Sequence, residues 1–572
     1  MRALLLGGLV GLCLLVSSSA AGPRLNPIQR ENVLPGSSGW RVPIAPEHAI
    51  EGYASGVSVA PGESLDLHVS TAPAASYRVE LYRLGWYGGI GGRLVGCLPA
   101  SCTGDQAGHP QPIPVPDPGT GYLDAGWTVT DTIRVLPSWV SGYYVAVLRL
   151  TSGPAAGKGS WVPFVVRAPP AQHSAILVQA AINTWQAYNR WGGMSLYKDA
   201  AGASCKGICT RVSFNRPYDP KTPNLWDHEL PLVHFLEESG YDVSYTTDVD
   251  TDRDPGELLR HRLVIVAGHD EYWTKRMRDG FETAQVLGTN LAFMGANTGY
   301  WQMRYANLRR TIVEYRIRRL DPEPNPALKT VRFRDLVPPR PECELEGVEY
   351  VRAGVESIGG QHDYGVAPGA LSDPWFSGTG FTASSLLPAL VGYEWDAVEP
   401  GCRTLPLTVL LHYGGPPAPA DAVRYTAPSG AIVFSAGSLS FAKGLDDFQE
   451  RPDVRPAGDP RLERFVRNAF ADLLRPAAPR SVRTSVGPNG ITISVQRAPD
   501  PRVDGVRIYR APAEQPLARG SRGLHLVCST LGTSCVDRSV PRRPVRYVVV
   551  VRDRWGASIP LVTAPVVARP GG

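Results

Sequence analysis

The chain has 572 residues, of which 43% are hydrophobic and 19% charged, with a formal net charge of +5. That length predicts about three or four domains, each with its own core. There is no block of like charge and no basic stripe interleaved with aromatics, which excludes a nucleic-acid reader.

Residues 1–21 read as a signal peptide, with Arg2 as the charged region, Leu4 to Val16 as the apolar core and Ser19-Ala20-Ala21 as the small-residue cleavage site. No later stretch is apolar enough to span a bilayer. After signal removal no transmembrane segment is expected, and the predicted location is secreted, extracellular or periplasmic. Cys13 lies in the signal. The eight remaining cysteines predict disulfides, and nearest-neighbour pairing gives Cys97–Cys102, Cys205–Cys209, Cys343–Cys402 and Cys528–Cys535. A metal site at Cys205 and Cys209 is the alternative, but the spacing is wrong for Cys-x-x-Cys.

Residues 22–49 read as irregular. Residues 50–168 alternate apolar and polar, as at Leu65, Leu67 and Val69 and at Tyr77, Val79 and Leu81, with Gly and Pro between runs. This pattern predicts an antiparallel β-sandwich. Within it, Arg83-Leu84-Gly85-Trp86-Tyr87-Gly88-Gly89 is an unusual turn whose glycines permit positive φ and close backbone approach.

Residues 172–475 predict a parallel-sheet α/β domain with a long insertion at about 305–425. Ala175 to Ala180 is a buried strand leading into Asn183-Thr184-Trp185-Gln186-Ala187-Tyr188-Asn189. Asp227 is placed to cap a helix closed by Gly240, and Asp242 to Thr246 is the next strand. Leu263 to Ala267 is a strand of the kind buried on both faces. A helix follows, with Thr274 as N-cap and Gly288 past its end, and then the strand Asn290 to Met294. Ile432 to Phe434 returns to the sheet, and Asp459-Pro460 opens an amphipathic helix through Leu473. Residues 476–480 are a linker. Residues 481–567 are a small β domain that resembles a fibronectin type III module, on the strands around Val506 to Arg510 and Tyr547 to Ser558.

Position marks the polar residues of interest. His269, Asp270 and Glu271 follow the carboxyl end of one strand, Asn297 and Tyr300 that of the next, and Tyr188 that of a third. In open α/β sheets that edge is where ligands bind. The bland reading is that these are loop residues, with Glu271 only favouring the start of the following helix.

Several segments taken together resemble the N,N-dimethylformamidase large (beta) subunit-like C-terminal-domain family. They are Tyr82 to Gly89, Ser141-Gly142-Tyr143-Tyr144, Thr184 to Asn189, Gly268-His269-Asp270-Glu271-Tyr272-Trp273, Gly295-Ala296-Asn297 and Gly392-Tyr393-Glu394-Trp395-Asp396. The resemblance implies a β-sandwich beside a sheet domain like that of glutamine amidotransferases, without their cysteine nucleophile. It implies one mononuclear non-haem Fe(III) held by two tyrosines and a glutamate, which carry over as Tyr144, Tyr188 and Glu271. Tyr143 is the neighbour competing with Tyr144, because adjacent strand residues face opposite ways.

His269, Asn297 and Glu394 match residues lining the family's site. Hard anionic oxygen donors suit Fe(III). Glu394 or His269 could supply a proton to a leaving amine, and Asn297 could donate to a developing oxyanion. His269 could instead orient Glu271. The implied activity is hydrolysis of a small amide or formamide, with a small helical partner subunit or a homo-oligomer possible. The rival reading is a non-enzymatic extracellular or cell-surface binding protein on the same scaffold.

Overall fold

The computed structural model describes residues 25–219, 225–353, 362–402, 406–447, 458–514 and 524–567. The signal-peptide segment lies outside them. Among the described residues, no helix is long and apolar enough to cross a membrane. The four expected cysteine pairs are all joined as disulfides.

Alternating apolar residues over 51–166 produce two sheets. One has three antiparallel strands, Glu51–Ala54, Ser64–Ser70 and Asp131–Arg134. The other is built on Ser76–Leu84, Gly92–Leu98, Gly142–Leu150 and Gly159–Val166, also antiparallel. Their inner faces meet in a core that includes Leu67, Val79, Tyr144, Leu148 and Phe164. The segment before them is less irregular than its sequence predicts. Pro27–Asn32 forms a helix capped by Asn26, a single short run with too few turns to display a period.

The main sheet has nine strands. Five are parallel, in the spatial order Val243–Thr247, Ile176–Ala180, Leu263–Gly268, Asn290–Gly295 and Ile432–Ser435. Leu263–Gly268 is buried along its whole length, as an apolar run covered on both faces must be. The sheet continues with the antiparallel strands Ala420–Thr426, Leu407–Tyr413, His362–Val366 and Leu386–Val391. Much of the expected insertion is therefore the outer half of the sheet itself. The three outermost of these strands bury only some of their positions, as a partly covered sheet requires, and proline-rich connections interrupt the pattern.

The helix Lys275–Val286 starts where Thr274 accepts a hydrogen bond from the Met277 N–H, and Gly288 follows it at φ 86°. Asp459 caps Pro460–Leu473, which buries Leu462, Phe465, Val466, Ala469, Phe470 and Leu473. Each larger side chain in that stripe is worth about 1.5–3 kcal/mol of burial. Asp227 is not the cap expected of it. It lies inside a π-helical turn, Leu225–Glu229, that runs directly into the helix Leu230–Glu238. Residues 481–562 form antiparallel sheets of three and four strands.

Buried ion pairs join these parts. Arg83, near the end of the Ser76–Leu84 strand and just before the glycine-rich turn, pairs bidentately with Glu237 of the Leu230–Glu238 helix, at 2.7 and 3.0 Å, with both side chains fully buried. A Cβ at Gly85 would lie 2.3 Å from Glu237 Oε2, so this approach requires glycine. Arg262, just before a central strand, bonds Asp500 at 2.7 Å and also Asp553 of the C-terminal sheets.

Candidate active site

Three chain segments leave the carboxyl edge of the parallel sheet and meet above it. The Leu263–Gly268 strand turns sharply at Gly268, at φ 57°, where a Cβ would lie 2.9 Å from Glu229 Cγ and His228 Cβ. That turn delivers His269, Asp270 and Glu271, all at most 2% exposed. The Glu271 N–H donates to Thr184 Oγ1 at 2.9 Å, which ties it to the helix Ile182–Tyr188. Asn297 follows the next strand in the left-handed region, at φ 54°, which asparagine tolerates better than most residues.

Glu271 is the centre of the cluster. Tyr188 donates to its Oε2 at 2.9 Å and Tyr197 to its Oε1 at 2.7 Å. The two phenol rings stack with centroids 4.5 Å apart. The Tyr272 hydroxyl donates in turn to that of Tyr197, and Arg316 sits 4.9 Å over the Tyr197 ring. On the other side, His269 Nε2 lies 3.1 Å from Glu394 Oε2 and 3.5 Å from Glu271 Oε2. Asn297 Nδ2 donates to Glu394 Oε2 at 2.7 Å, and the Asn297 N–H donates to Asp396 Oδ1 at 2.9 Å.

Charge is crowded here. Burial, reinforced by Glu394, pushes Glu271 up to about 7 despite His269 and the two phenols. Burial pushes Asp396 up to about 7, opposed by the Asn297 N–H. Burial and then the Glu271 charge hold Tyr188 and Tyr197 well above the usual phenol range. Burial alone would lower His269, but Glu394, Glu271 and Asp270 together raise it. The amide oxygen of Asn297 is buried and, among the described residues, has no hydrogen-bond partner.

This donor set fits a hard trivalent cation. Two phenol oxygens lie 2.7–2.9 Å from the two carboxylate oxygens. Adjacent ligands about 2.0–2.1 Å from a six-coordinate ion sit roughly 2.9 Å apart. Protons now occupy the space between them, and a cation would replace two protons while neutralising the phenolates and the carboxylate. A second cluster, Cys343, Glu349 and Cys402, does not fit a metal, because its cysteines are joined to each other and offer no thiolate.

The structure brings Tyr188, Glu271, His269, Asn297 and Glu394 together and leaves Tyr144 out. Tyr144 donates to the Val140 carbonyl at 2.7 Å and stacks on Trp139 and Phe164 inside the sandwich. Tyr143 faces the other way and donates to Glu229, which also accepts from Trp185 Nε1 at 2.7 Å. The second phenol at Glu271 is Tyr197, in a loop with no periodicity. A signal for it was present in the nearby cysteines. The Cys205–Cys209 disulfide staples this loop, and the Cys205 N–H donates to the Tyr197 carbonyl at 3.2 Å.

A cavity of about 460 Å³ opens over the cluster. Its floor includes Tyr188, Glu271, Asn297 and Glu394, and its walls include Tyr300, Trp301, Tyr350 and Tyr393.

Among curated proteins there is no match to this chain. Domains A168-A170 of titin are similar at 15% identity over 16% of this chain and 32% of that chain, with a TM-score of 0.14. The chain thus spans about a third of the titin fragment. The chicken CNTN1 FN1-FN3 domains are 7% identical over 91% of this chain and 100% of that chain, also with a TM-score of 0.14. Scores this low carry no argument. The family comparison is of a different kind, because its match runs from Arg78 in the Ser76–Leu84 strand past the short strand Glu394–Ala397 and takes in every residue of the cluster around Glu271. Over residues 78–454, about two thirds of its length, the chain belongs to the family described as N,N-dimethylformamidase beta subunit-like, C-terminal.

Proposed function

We propose that this protein is an iron-dependent amide hydrolase whose metal is held by Tyr188, Tyr197 and Glu271. The observation that carries the reading is the meeting of two phenols on the two oxygens of one buried carboxylate, beside a His–Glu pair and beneath an open cavity. Bound there, Fe(III) would supply a Lewis acid that polarises an amide carbonyl and acidifies water.

The remaining chemistry belongs to the chain. Hydrolysis adds water to the carbonyl carbon and breaks the C–N bond, and the amine must leave with a proton. His269 Nε2, between Glu394 and Glu271, is placed to hold that proton, and Glu394 to take one from water. The Asn297 Nδ2 amino group donates one N–H to Glu394 and lies 3.5 Å from His269 Nε2, so we assign it to fixing the His269–Glu394 pair rather than to donating to an oxyanion. Thr184 fixes Glu271 from behind. A buried, converging set of ionisable groups favours this reading over a non-enzymatic binding protein, whose pocket would not need charges held at such desolvation cost. The four disulfides support export to an oxidising compartment.

The test is iron content and visible absorption of the purified full chain, with release of amine from simple formamides as the activity readout. Near-stoichiometric iron with a phenolate charge-transfer band, both lost in Glu271→Ala, is expected. A colourless protein that iron does not reconstitute overturns the proposal.

A further inference from the structure

The cavity over Glu271 is built for more than a five-heavy-atom amide. At roughly 30 Å³ of liquid volume per water, such an amide needs on the order of 100 Å³. The cavity holds about 460 Å³, a volume in the range that takes drug-sized ligands. Its walls are aromatic. Tyr300 packs edge-on against both Trp301 and Tyr350, with centroids 4.9 and 5.1 Å apart, and Tyr393 closes another side.

Two cations complete the lining, Arg190 and Lys198. Both side chains are exposed, and among the described residues neither has an ion-pair or hydrogen-bond partner. Other cations around the cavity's aromatic rings, Arg316 over Tyr197 and Arg332 and Arg334 by Tyr300, are engaged. Arg316 donates to the Leu196 carbonyl, Arg332 pairs with Asp335, and Arg334 pairs with Glu342 and Glu349. The floor carries the buried carboxylates of Glu271 and Glu394 and no free cation among the described residues, so the exposed cations at the mouth are the attractive partners for an anionic group of a ligand in the metal-free chain. Arg190 also lines a neighbouring cavity of about 610 Å³ beside Trp191 and Tyr218. Space for a longer ligand therefore continues past the cation.

We infer that the substrate of this site is an N-acylated amino-acid-like amide. Its aromatic or bulky apolar body fills the Tyr300, Trp301, Tyr350 and Tyr393 walls, and its carboxylate is taken by Arg190 and Lys198 at the mouth. The inference rests on the hydrolase reading for the bond that is cut, but the recognition itself does not need the metal. The amide end points to the floor, where water adds to the acyl carbon, the C–N bond breaks and the amine of the amino acid departs protonated.

The test titrates the full chain, metal-free and iron-loaded, with N-formyl-L-phenylalanine, its methyl ester, N-formylglycine and dimethylformamide by calorimetry. The acid is expected to bind roughly tenfold or more tightly than the ester, as charge-assisted hydrogen bonds are lost in the ester. N-formylglycine is expected to bind about tenfold or more weakly than N-formyl-L-phenylalanine, for lack of a ring against the walls. In Arg190→Gln/Lys198→Gln the acid-to-ester ratio is expected to fall close to one, with the melting temperature unchanged because both side chains are exposed. Equal binding of acid and ester, a ratio that survives in the double variant, or no binding by either form overturns the inference. Iron and its band can be present while acid and ester bind equally, which sinks only this inference. A protein without iron that still prefers the acid sinks only the hydrolase reading.

Discussion

Exchanging one phenol for a phenyl ring separates the two tyrosines that compete for the second donor position. In Tyr197→Phe the ring packing against Tyr188 stays, but the oxygen 2.7 Å from Glu271 Oε1 is gone, and the Tyr272 hydroxyl loses its acceptor. Loss of a residue that merely orients a ligand costs about 10–100-fold in metal affinity, so loss of a direct donor is expected at or beyond about 100-fold. At 1.36 kcal/mol per decade that is about 2.7 kcal/mol. With one phenolate left of two, the charge-transfer absorbance per iron is expected to fall to roughly half.

Tyr144→Phe removes the hydrogen bond to the Val140 carbonyl inside the sandwich, worth about 1–3 kcal/mol of fold stability. Its iron content and spectrum should be those of the parent. The assay is a competitive iron titration read at the visible band, with urea unfolding of the same samples. A Tyr197→Phe protein with full iron and full colour, beside a bleached Tyr144→Phe protein, would refute the assignment of the second phenol.

Other outcomes follow from the buried pairs. Arg83→Met leaves the fully buried Glu237 carboxylate without its cation, with hydrogen bonds from Asn32 and Tyr245 remaining, and is expected to cost roughly 3–5 kcal/mol in urea unfolding, while Arg83→Met/Glu237→Leu should recover part of it; equal losses in the two proteins would contradict this. Burial pushes Glu229 up to about 8 from an ordinary 4.5, so the folded chain keeps a proton that the unfolded chain releases between those values. Stability of the metal-free protein should therefore fall as pH rises through that window, by up to about 1.4 kcal/mol per pH unit from this group. Thermal melts of Glu229→Gln from pH 5 to 8 should show a flatter dependence than the parent. Arg262→Met removes the bonds to Asp500 and Asp553 and should expose the 476–480 linker to limited proteolysis while leaving the iron band unchanged; unaltered protection would show that the C-terminal sheets are held by other contacts.

Local order in the chain was legible without tertiary information. The strand–helix–strand unit over 263–295, the Thr274 cap, the Asp459–Pro460 helix start and the Cys97–Cys102, Cys205–Cys209 and Cys528–Cys535 pairs all depend on residues close in sequence, where periodicity, capping chemistry and short loop closure act; Cys343–Cys402, 59 residues apart, followed only from the other three being paired. The sheet edge that gathers His269, Glu271, Asn297 and Tyr188 was legible too, because the carboxyl ends of parallel strands share one side.

What the tertiary structure alone decided has partners far apart in the chain. Alternation puts Tyr143 and Tyr144 on opposite faces, but only the packing of the sandwich against the α/β sheet sends Tyr143 to Glu229 and Tyr144 into the sandwich core. Tyr197 reaches Glu271 across 74 residues from a loop with no period, and Asn297 gives its amide to Glu394 across 97. The outer strands over 362–426 join the sheet through pairing partners that no local pattern specifies. Such contacts are chosen by how faces pack and by where buried polar groups find partners, quantities that exist only once the chain is folded.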